Sequence, residues 1–279
     1  CSDGQARQIE MNLYYPRSAI LETDILPVKD AGQQVIGVLL LFHELTLLRS
    51  IEKMRSDFVA NVSHELRTPL TAVRGYTETI LHEDLTRDQL VDFLEVIDRE
   101  TKRLSYLVDD LLDLAQIENE KGFVKKEAVN LTQLINDAAE RVEELQRQKN
   151  VDILLTLPEE AVLTVGNPEW LRQALVNILE NSIRHGREQG QVTVRLFAEG
   201  QDAVVEVKDN GPGIPDGDLP YIFERFYRVD KARTRKSGGT GLGLSIVKHI
   251  LEAHGAVYSL QSAEGEGAVF RFTLPRLEQ

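Results

Sequence analysis

The sequence predicts an α+β, multidomain chain in which a short antiparallel sheet leads into an antiparallel helical hairpin and then into an α/β sandwich. Three observations predict it. Residues 1 to 43 hold β-branched and aromatic runs between turn signals, apolar residues from about Glu44 switch to a three-four spacing, and past Lys121-Gly122 strand-like and helix-like patterns alternate to the end. At 279 residues the chain exceeds one ordinary core. The patterns therefore divide into domains at 1–43, 44–121 and 122–279.

The bulk numbers exclude several classes. A net charge of −13 disfavours general attraction to nucleic acid or anionic lipid, except where basic residues gather locally. Cys1 is the single cysteine, so no intrachain disulfide framework exists. The longest apolar run, Val35 to Phe42, is far shorter than the roughly 20 residues that span a bilayer, so no membrane contact is expected of this stretch. Because the chain opens on Cys1 rather than methionine, residues upstream, including a membrane anchor, are expected.

In the first domain, IEMNLYY, ILPVKD and VIGVLLLF read as strands, the last two joined by a Gly-Gln-Gln turn. Three strands make a small domain, and they read as the end of a larger sheet with a sensing or docking role. In the second, Ile51, Met54, Phe58, Val62, Leu66, Leu70, Val73 and Ile80 mark a long helix. After a cap near Thr86, Leu90, Leu94, Ile97, Thr101, Leu104, Val108, Leu111 and Ala115 form a coiled-coil seam. Two such narrow stripes cannot bury enough surface alone, which predicts a homodimeric four-helix bundle. In the third, LTQLINDAAERVEEL and PEWLRQALVNILENSIRHG read as helices, and QVTVRLFAE, AVVEVKD and GAVFRFTLP as strands.

The stretch SHELRTPL, Ser63 to Leu70, sits in the first long helix. At 100° per residue the stripe of Phe58, Val62, Leu66, Pro69 and Val73 lies on one side, and His64 falls roughly 150° from its centre, facing water. Glu65 is adjacent and Thr68 one turn on. An exposed histidine alone is usually a solvated polar face. Pro69 inside a helix is the added clue, since it costs about 3 kcal/mol and bends the helix unless something offsets it.

Four further elements follow in order. NILEN places Asn177 and Asn181 on one helical face, and amide oxygens are neutral, hard ligands suited to Mg²⁺. AVVEVKD runs into DNGPGI, where Asp209 ends a strand beside Gly211 and Gly213 and can accept a hydrogen bond from an exocyclic amine. FERFYRVDKARTRKSGG carries six basic against two acidic residues, a local +4. Its rings, Phe223, Phe226 and Tyr227, all lie at its start, so a nucleic-acid stacking platform is disfavoured and a cationic lid over polyphosphate fits better. SGGTGLGLSIVKHI sets glycines ahead of a helix, whose free N–H groups favour phosphate oxygens.

SHELRTPL resembles the H-box of the dimerising phosphotransfer domain of bacterial sensor histidine kinases, and FVANVSHELRTPLTAVRGYTETI resembles the phosphate-regulon and cell-wall sensor kinases. The later elements resemble the N, G1, F and G2 boxes of the histidine-kinase, gyrase, Hsp90 and mismatch-repair ATPase superfamily. The likeness runs from about residue 44 to 279. It implies that His64 accepts phosphate, Glu65 orients the imidazole and Thr68 places a water for dephosphorylation. It also implies an ATP-binding domain in which Asn181, helped by Asn177, binds Mg²⁺, and Arg184 and His185 stand at the phosphate-contacting end of the N box. Asp209 with Gly211 and Gly213 would read adenine, Phe223 and Phe226 would anchor a lid, and Gly239, Thr240, Gly241, Leu242 and Gly243 would wrap the phosphates.

The opening strands resemble the C-terminal end of a PAS domain. The function implied is a two-component histidine kinase that autophosphorylates His64 and passes the group to an aspartate of a response-regulator receiver domain. Its place would be the cytoplasmic portion of a membrane-anchored bacterial sensor. Hydrolytic superfamily members have glutamate where Asn177 stands, and an amide cannot act as general base, which favours transfer over hydrolysis. A clamp-type ATPase of the gyrase or Hsp90 class and a nucleotide-binding scaffold are the competing readings. A hinge is expected near Glu118 to Gly122, between phosphotransfer and ATP domains.

Overall fold

The computed structural model describes residues 5–15, 17–120, 125–229 and 239–277. Expectations for Cys1, for Lys121-Gly122 and for the basic stretch 230–238 lie outside the described residues. The chain forms two compact units, residues 1–67 and 68–279, with the division inside one helix.

The first unit opens with β1 (Arg7–Leu13), β2 (Ala19–Lys29) and β3 (Val35–Glu44), antiparallel in that order. The β2–β3 turn is built by Asp30, whose Oδ1 accepts the N–H groups of Gly32 and Gln34, both at 2.9 Å, while Gln33 takes φ 65°. β2 begins at Ala19, well before the expected Ile25. Leu13 pairs with Ala19 and Arg7 with Ile25, so cross-strand pairing carries Glu22 and Asp24 into a strand against their weak propensity. β3 is exposed along its whole length.

Helix α1 (Thr46–His82) runs through Pro69 without interruption, and Pro69 is buried, so packing offsets the missing N–H bond. The turn after α1 ends in a capping box. Thr86 Oγ1 accepts the Gln89 N–H at 3.3 Å, and Gln89 Oε1 accepts the Thr86 N–H at 3.0 Å. This starts α2 (Arg87–Glu120), which meets the end of α1 through a Tyr76–Phe93 ring contact at 5.0 Å. The expected seam is open at Leu94 and Val108, whereas Arg103, Leu107, Leu114 and Ile117 are buried. α2 therefore carries a second stripe that the seam pattern had masked.

The remaining elements are β4 (Glu127–Asn130), α3 (Leu131–Arg141), α4 (Glu143–Lys149), β5 (Asp152–Thr156), β6 (Leu163–Gly166), α5 (Pro168–His185), β7 (Gln191–Glu199), β8 (Asp202–Asp209), α6 (Gly243–His254), β9 (Val257–Ala263) and β10 (Gly267–Pro275), with a 3₁₀ turn at Leu219–Tyr221. One sheet has the order β5-β7-β8-β10-β9, with β5 parallel to β7 and the other pairs antiparallel; β4 and β6 form a separate pair. Val192, Val194 and Leu196 of β7, Val205 and Val207 of β8, and Phe270, Phe272 and Leu274 of β10 are buried at period two. Ile178, Leu179, Ile246 and Ile250 supply the helical side of this core. The single helix expected from Leu131 to Leu145 is instead two, because the Val142 N–H turns to the Ala139 carbonyl at 3.3 Å. Among the described residues, no helix is long and apolar enough to cross a membrane.

α5 starts where Asn167 Oδ1 accepts the N–H groups of Glu169 and Trp170 and Pro168 takes the first helical position. His254 secures that start from α6. Its Nε2 accepts the Asn167 N–H at 2.9 Å and its Nδ1–H donates to the Ile250 carbonyl at 2.7 Å, which requires the neutral ring. Burial holds its pKa below the usual histidine value. The unfolded chain therefore binds a proton more readily, and stability falls as pH drops from about 6.5 through the lower folded value. His254→Phe is expected to lower unfolding stability by about 1–3 kcal/mol at pH 8 by stranding the Asn167 N–H, and to flatten this acid slope. Denaturant melts from pH 8 to 5 measure both effects.

Candidate functional site

β8 delivers Asp209 to the end of the sheet, where α5 brings Ile178, Asn181 and Ser182 opposite it. These residues line a cavity of about 20 Å³ together with Ile214, Leu244, Leu260 and Phe270, among others. That volume is on the scale of a single water molecule. Asp209 Oδ1 accepts two backbone N–H groups, from Gly211 at 2.9 Å and Ala268 at 3.2 Å. Burial pushes this carboxyl above the usual carboxylate range, against the pull of both bonds.

The loop after Asp209 interlocks with the β9–β10 turn. Gly213 has φ 75°, and a Cβ there would come within 1.9 Å of the Ala263 carbonyl oxygen. Gly267 has φ 87°, and its Cβ would come within 2.1 Å of the Asp209 carbonyl oxygen. Only glycine permits either approach. Sequence reading found Gly211 and Gly213 but missed Gly267. The Glu-Gly-Glu-Gly turn, residues 264–267, was the available signal.

On α5, Asn177 Oδ1 accepts from Gln173 at 3.2 Å, and its amide donates to the Gly243 carbonyl at 3.4 Å, joining α5 to the start of α6. Arg184 pairs with Glu180 at 3.1 Å and His185 is the exposed last residue of the helix. Neither is in the cavity wall that holds Asn181. Phe223 stacks edge-on with Tyr258 at 5.4 Å and Phe270 at 6.2 Å, which anchors its segment to the same sheet end. Phe226 sits at φ 64° and donates its N–H to the Gly241 carbonyl at 2.8 Å, while Gly241 sits at φ 76°. Gly239 and Thr240 lead into this junction, and buried Leu242 is the N-cap of α6, directly before Gly243.

Thr240 also reaches α2. Its hydroxyl accepts the Leu242 N–H at 3.2 Å and donates to Asp110 Oδ2 at 2.5 Å. Glu118 pairs with Arg225 and stands 3.3 Å from His249 Nε2. Leu107, Leu114 and Ile117 are the apolar part of this α2 face, and α2 packs on α6. Glu118, where a hinge was expected to begin, is thus inside a helix and held. Burial pushes Asp110 up to about 6; the Thr240 bond opposes that shift, and Asp113, Glu180 and Asp109 add to it.

His64, Glu65 and Thr68 all lie on α1, the first two closing the first unit and the third opening the second. His64 is exposed, as its position off the apolar stripe requires, and Glu65 and Thr68 are half-buried.

Residues 166–278 match the family of histidine kinase-, DNA gyrase B- and HSP90-like ATPases, and residues 54–120 match the His Kinase A phospho-acceptor domain. The sensor protein kinase WalK of Staphylococcus haemolyticus is 40% identical over 245 residues, covering 86% of this chain and 40% of that protein. The chain thus spans about two fifths of that relative's length. Full-length ShkA, solved in complex with AMPPNP, aligns over 80% of this chain and 46% of that chain at TM-score 0.57 and 27% identity. Histidine kinase ThkA, solved in complex with the response regulator TrrA, covers 97% of this chain and 79% of that chain at TM-score 0.64 and 24% identity, a likeness of fold.

The Asp110 contact makes stability depend on pH. Its folded pKa lies above the unfolded value, so stability rises as pH falls from about 6 towards 3.8 and is lost above that window. Asp110→Asn keeps an acceptor for Thr240 without the charge. It is expected to raise unfolding stability at pH 7.5 by on the order of 1–3 kcal/mol, with the gain fading by pH 4. Thermal melts of both proteins at the two pH values check it.

Proposed function

Because this chain belongs to the bacterial sensor histidine kinases, we propose that it moves the γ-phosphoryl group of ATP to His64 and then to an aspartate of a response-regulator receiver domain. The observation that carries the reading is the meeting of Asp209, Asn181 and the α6 N-terminal region around one cavity, in a chain that also exposes His64 on α1.

In the transfer, a ring nitrogen of neutral His64 attacks the γ-phosphorus in line, the bond from that phosphorus to the β–γ bridging oxygen breaks, and ADP leaves with the electron pair. Glu65 takes the proton released from the other ring nitrogen. The receiver aspartate then attacks phosphorus, the N–P bond breaks, and the ring regains its proton. Asp209 accepts from the adenine amine, and the N–H groups ahead of α6 receive phosphate oxygens. Arg184 and His185 serve the phosphate side from the end of α5, and Phe223 and Phe226 hold the segment that covers it.

The donor set fits Mg²⁺. Among the described residues no group of three or more His, Cys, Asp or Glu could hold a metal, and the candidates are the neutral amides Asn181 and Asn177, which suit an ion bound largely by phosphates and water. When bound, it neutralises phosphate charge. Asn177 offers no general base, which disfavours the clamp-ATPase reading.

A homodimer follows from the open stripes. Ile51, Met54 and Leu70 on α1 and Leu94 and Val108 on α2 are large, apolar and exposed, as a four-helix bundle with a second copy requires. Within a longer protein, this chain would be the cytoplasmic portion of a membrane-anchored sensor.

With γ-labelled ATP and Mg²⁺, the chain is expected to take up label that survives alkali and is lost in acid, and His64→Gln to abolish it. Label that is acid-stable, or unchanged in the variant, would refute the assignment. Thr68→Ala is expected to keep autophosphorylation within about twofold while slowing dephosphorylation of the phosphorylated receiver by tenfold or more, as loss of a water-positioning group does. A phosphatase assay with purified receiver decides this.

A further inference from the structure

Three hydrogen bonds stitch the Asp209–Ile214 loop to the β9–β10 turn and two more brace loop and turn internally, and a serine outside the four boxes makes one of each. Ser262, half-buried on β9, accepts the Ile214 N–H at 2.9 Å and donates to the Gly267 carbonyl at 2.6 Å. Gly265 N–H donates to the Pro212 carbonyl at 2.6 Å, Ala268 N–H to Asp209 Oδ1 at 3.2 Å, and Gly211 N–H to the same oxygen at 2.9 Å. Arg187 braces the turn from the end of α5, donating to the Gly265 carbonyl at 2.7 Å.

We infer that Ser262 is a positioning residue for nucleobase reading: its hydroxyl locks loop to turn and thereby fixes the Asp209 carboxylate. The inference rests on the nucleotide-binding role proposed above. Both N–H groups on Asp209 fall on Oδ1, one from the loop and one from the turn. The roll of the carboxylate, and the direction in which Oδ2 can accept from an exocyclic amine, therefore depend on the spacing of those two segments. That spacing is already at the van der Waals limit at Gly213 and Gly267, so the segments can part but cannot approach. Ser262 opposes the parting. It does so next to the cavity, because Ile214, whose N–H it receives, is a wall residue, as are Leu260 and Ala268 on either side of the turn. Pro212 and Pro215 have no N–H to donate, so Ile214 is one of few points by which the loop can be held.

A packing role would weaken every ligand alike, whereas a positioning role selects the base. The test uses the full chain and displacement of a fluorescent ADP by ADP, GDP and inorganic tripolyphosphate. Ser262→Ala is expected to weaken ADP about three- to tenfold, the effect of one lost hydrogen bond, and to narrow the preference for ADP over GDP. Tripolyphosphate competition should be unchanged, and Ser262→Thr should restore both properties. In autophosphorylation, Ser262→Ala should raise KM for ATP with kcat retained. Asp209→Asn is the control that removes the reader itself. ADP affinity and preference equal to wild type in Ser262→Ala, while Asp209→Asn loses binding, overturns the inference and leaves the nucleotide site standing. Equal weakening of all three ligands with a lowered melting temperature also overturns it. Failure of the wild type to bind ADP takes down the nucleotide reading and this inference together.

Discussion

A half-buried carboxylate gripped by backbone N–H groups from two interlocking segments is the constraint on which the candidate site depends. Asp209 ends β8, and its Oδ1 is tied both to the glycine-rich loop that follows and to the strand that begins with Gly267. Two glycines at positive φ allow the segments to touch backbone to backbone. The consequence is a wall whose geometry is set by main chain, which has few ways to relax, and not by side-chain rotamers. Ile178, Asn181 and Ser182 of α5 then need only be presented by a well-capped helix, and Asn167, Pro168 and His254 secure that helix start.

The helix α2 belongs to two structures at once. Its open stripe has the seven-residue repeat of a bundle seam, while Leu107, Leu114 and Ile117 are buried on the side that packs on α6. Thr240, in the turn expected to wrap phosphates, is hydrogen-bonded to Asp110 on that second face, with Asp109, Asp113 and Glu180 nearby in the field. An ionised carboxylate bound to that hydroxyl would oppose a polyphosphate held at the proposed site. In the proposed loaded site, phosphate and Asp110 would compete for Thr240.

Much of the organisation was legible beforehand because its signals are local. The period of apolar residues gave α5, β7, β8 and β10 nearly to the residue and placed α1 and α2. The capping box at Thr86 and the Asn-Pro start of α5 are written in adjacent positions. The exposure of His64 followed from angular position alone. What failed was equally physical. β2 begins earlier than its propensities predict because pairing with β1 overrides the poor propensity of Glu22 and Asp24. The pattern after Leu131 predicts one helix because nothing in it marks the turn of the Val142 N–H to Ala139.

By itself, then, the sequence determined the order of the sheet, hairpin and sandwich and the water-facing histidine, since each rests on spacing within one segment. Tertiary structure alone decided that Asp110 and Glu118 of α2 meet Thr240, Arg225 and His249, and that Ser262 and Gly267 share a wall with Asp209. Those partners lie far apart along the chain. Their meeting depends on how sheet order and helix packing bring distant segments together, and no periodicity within a segment encodes that.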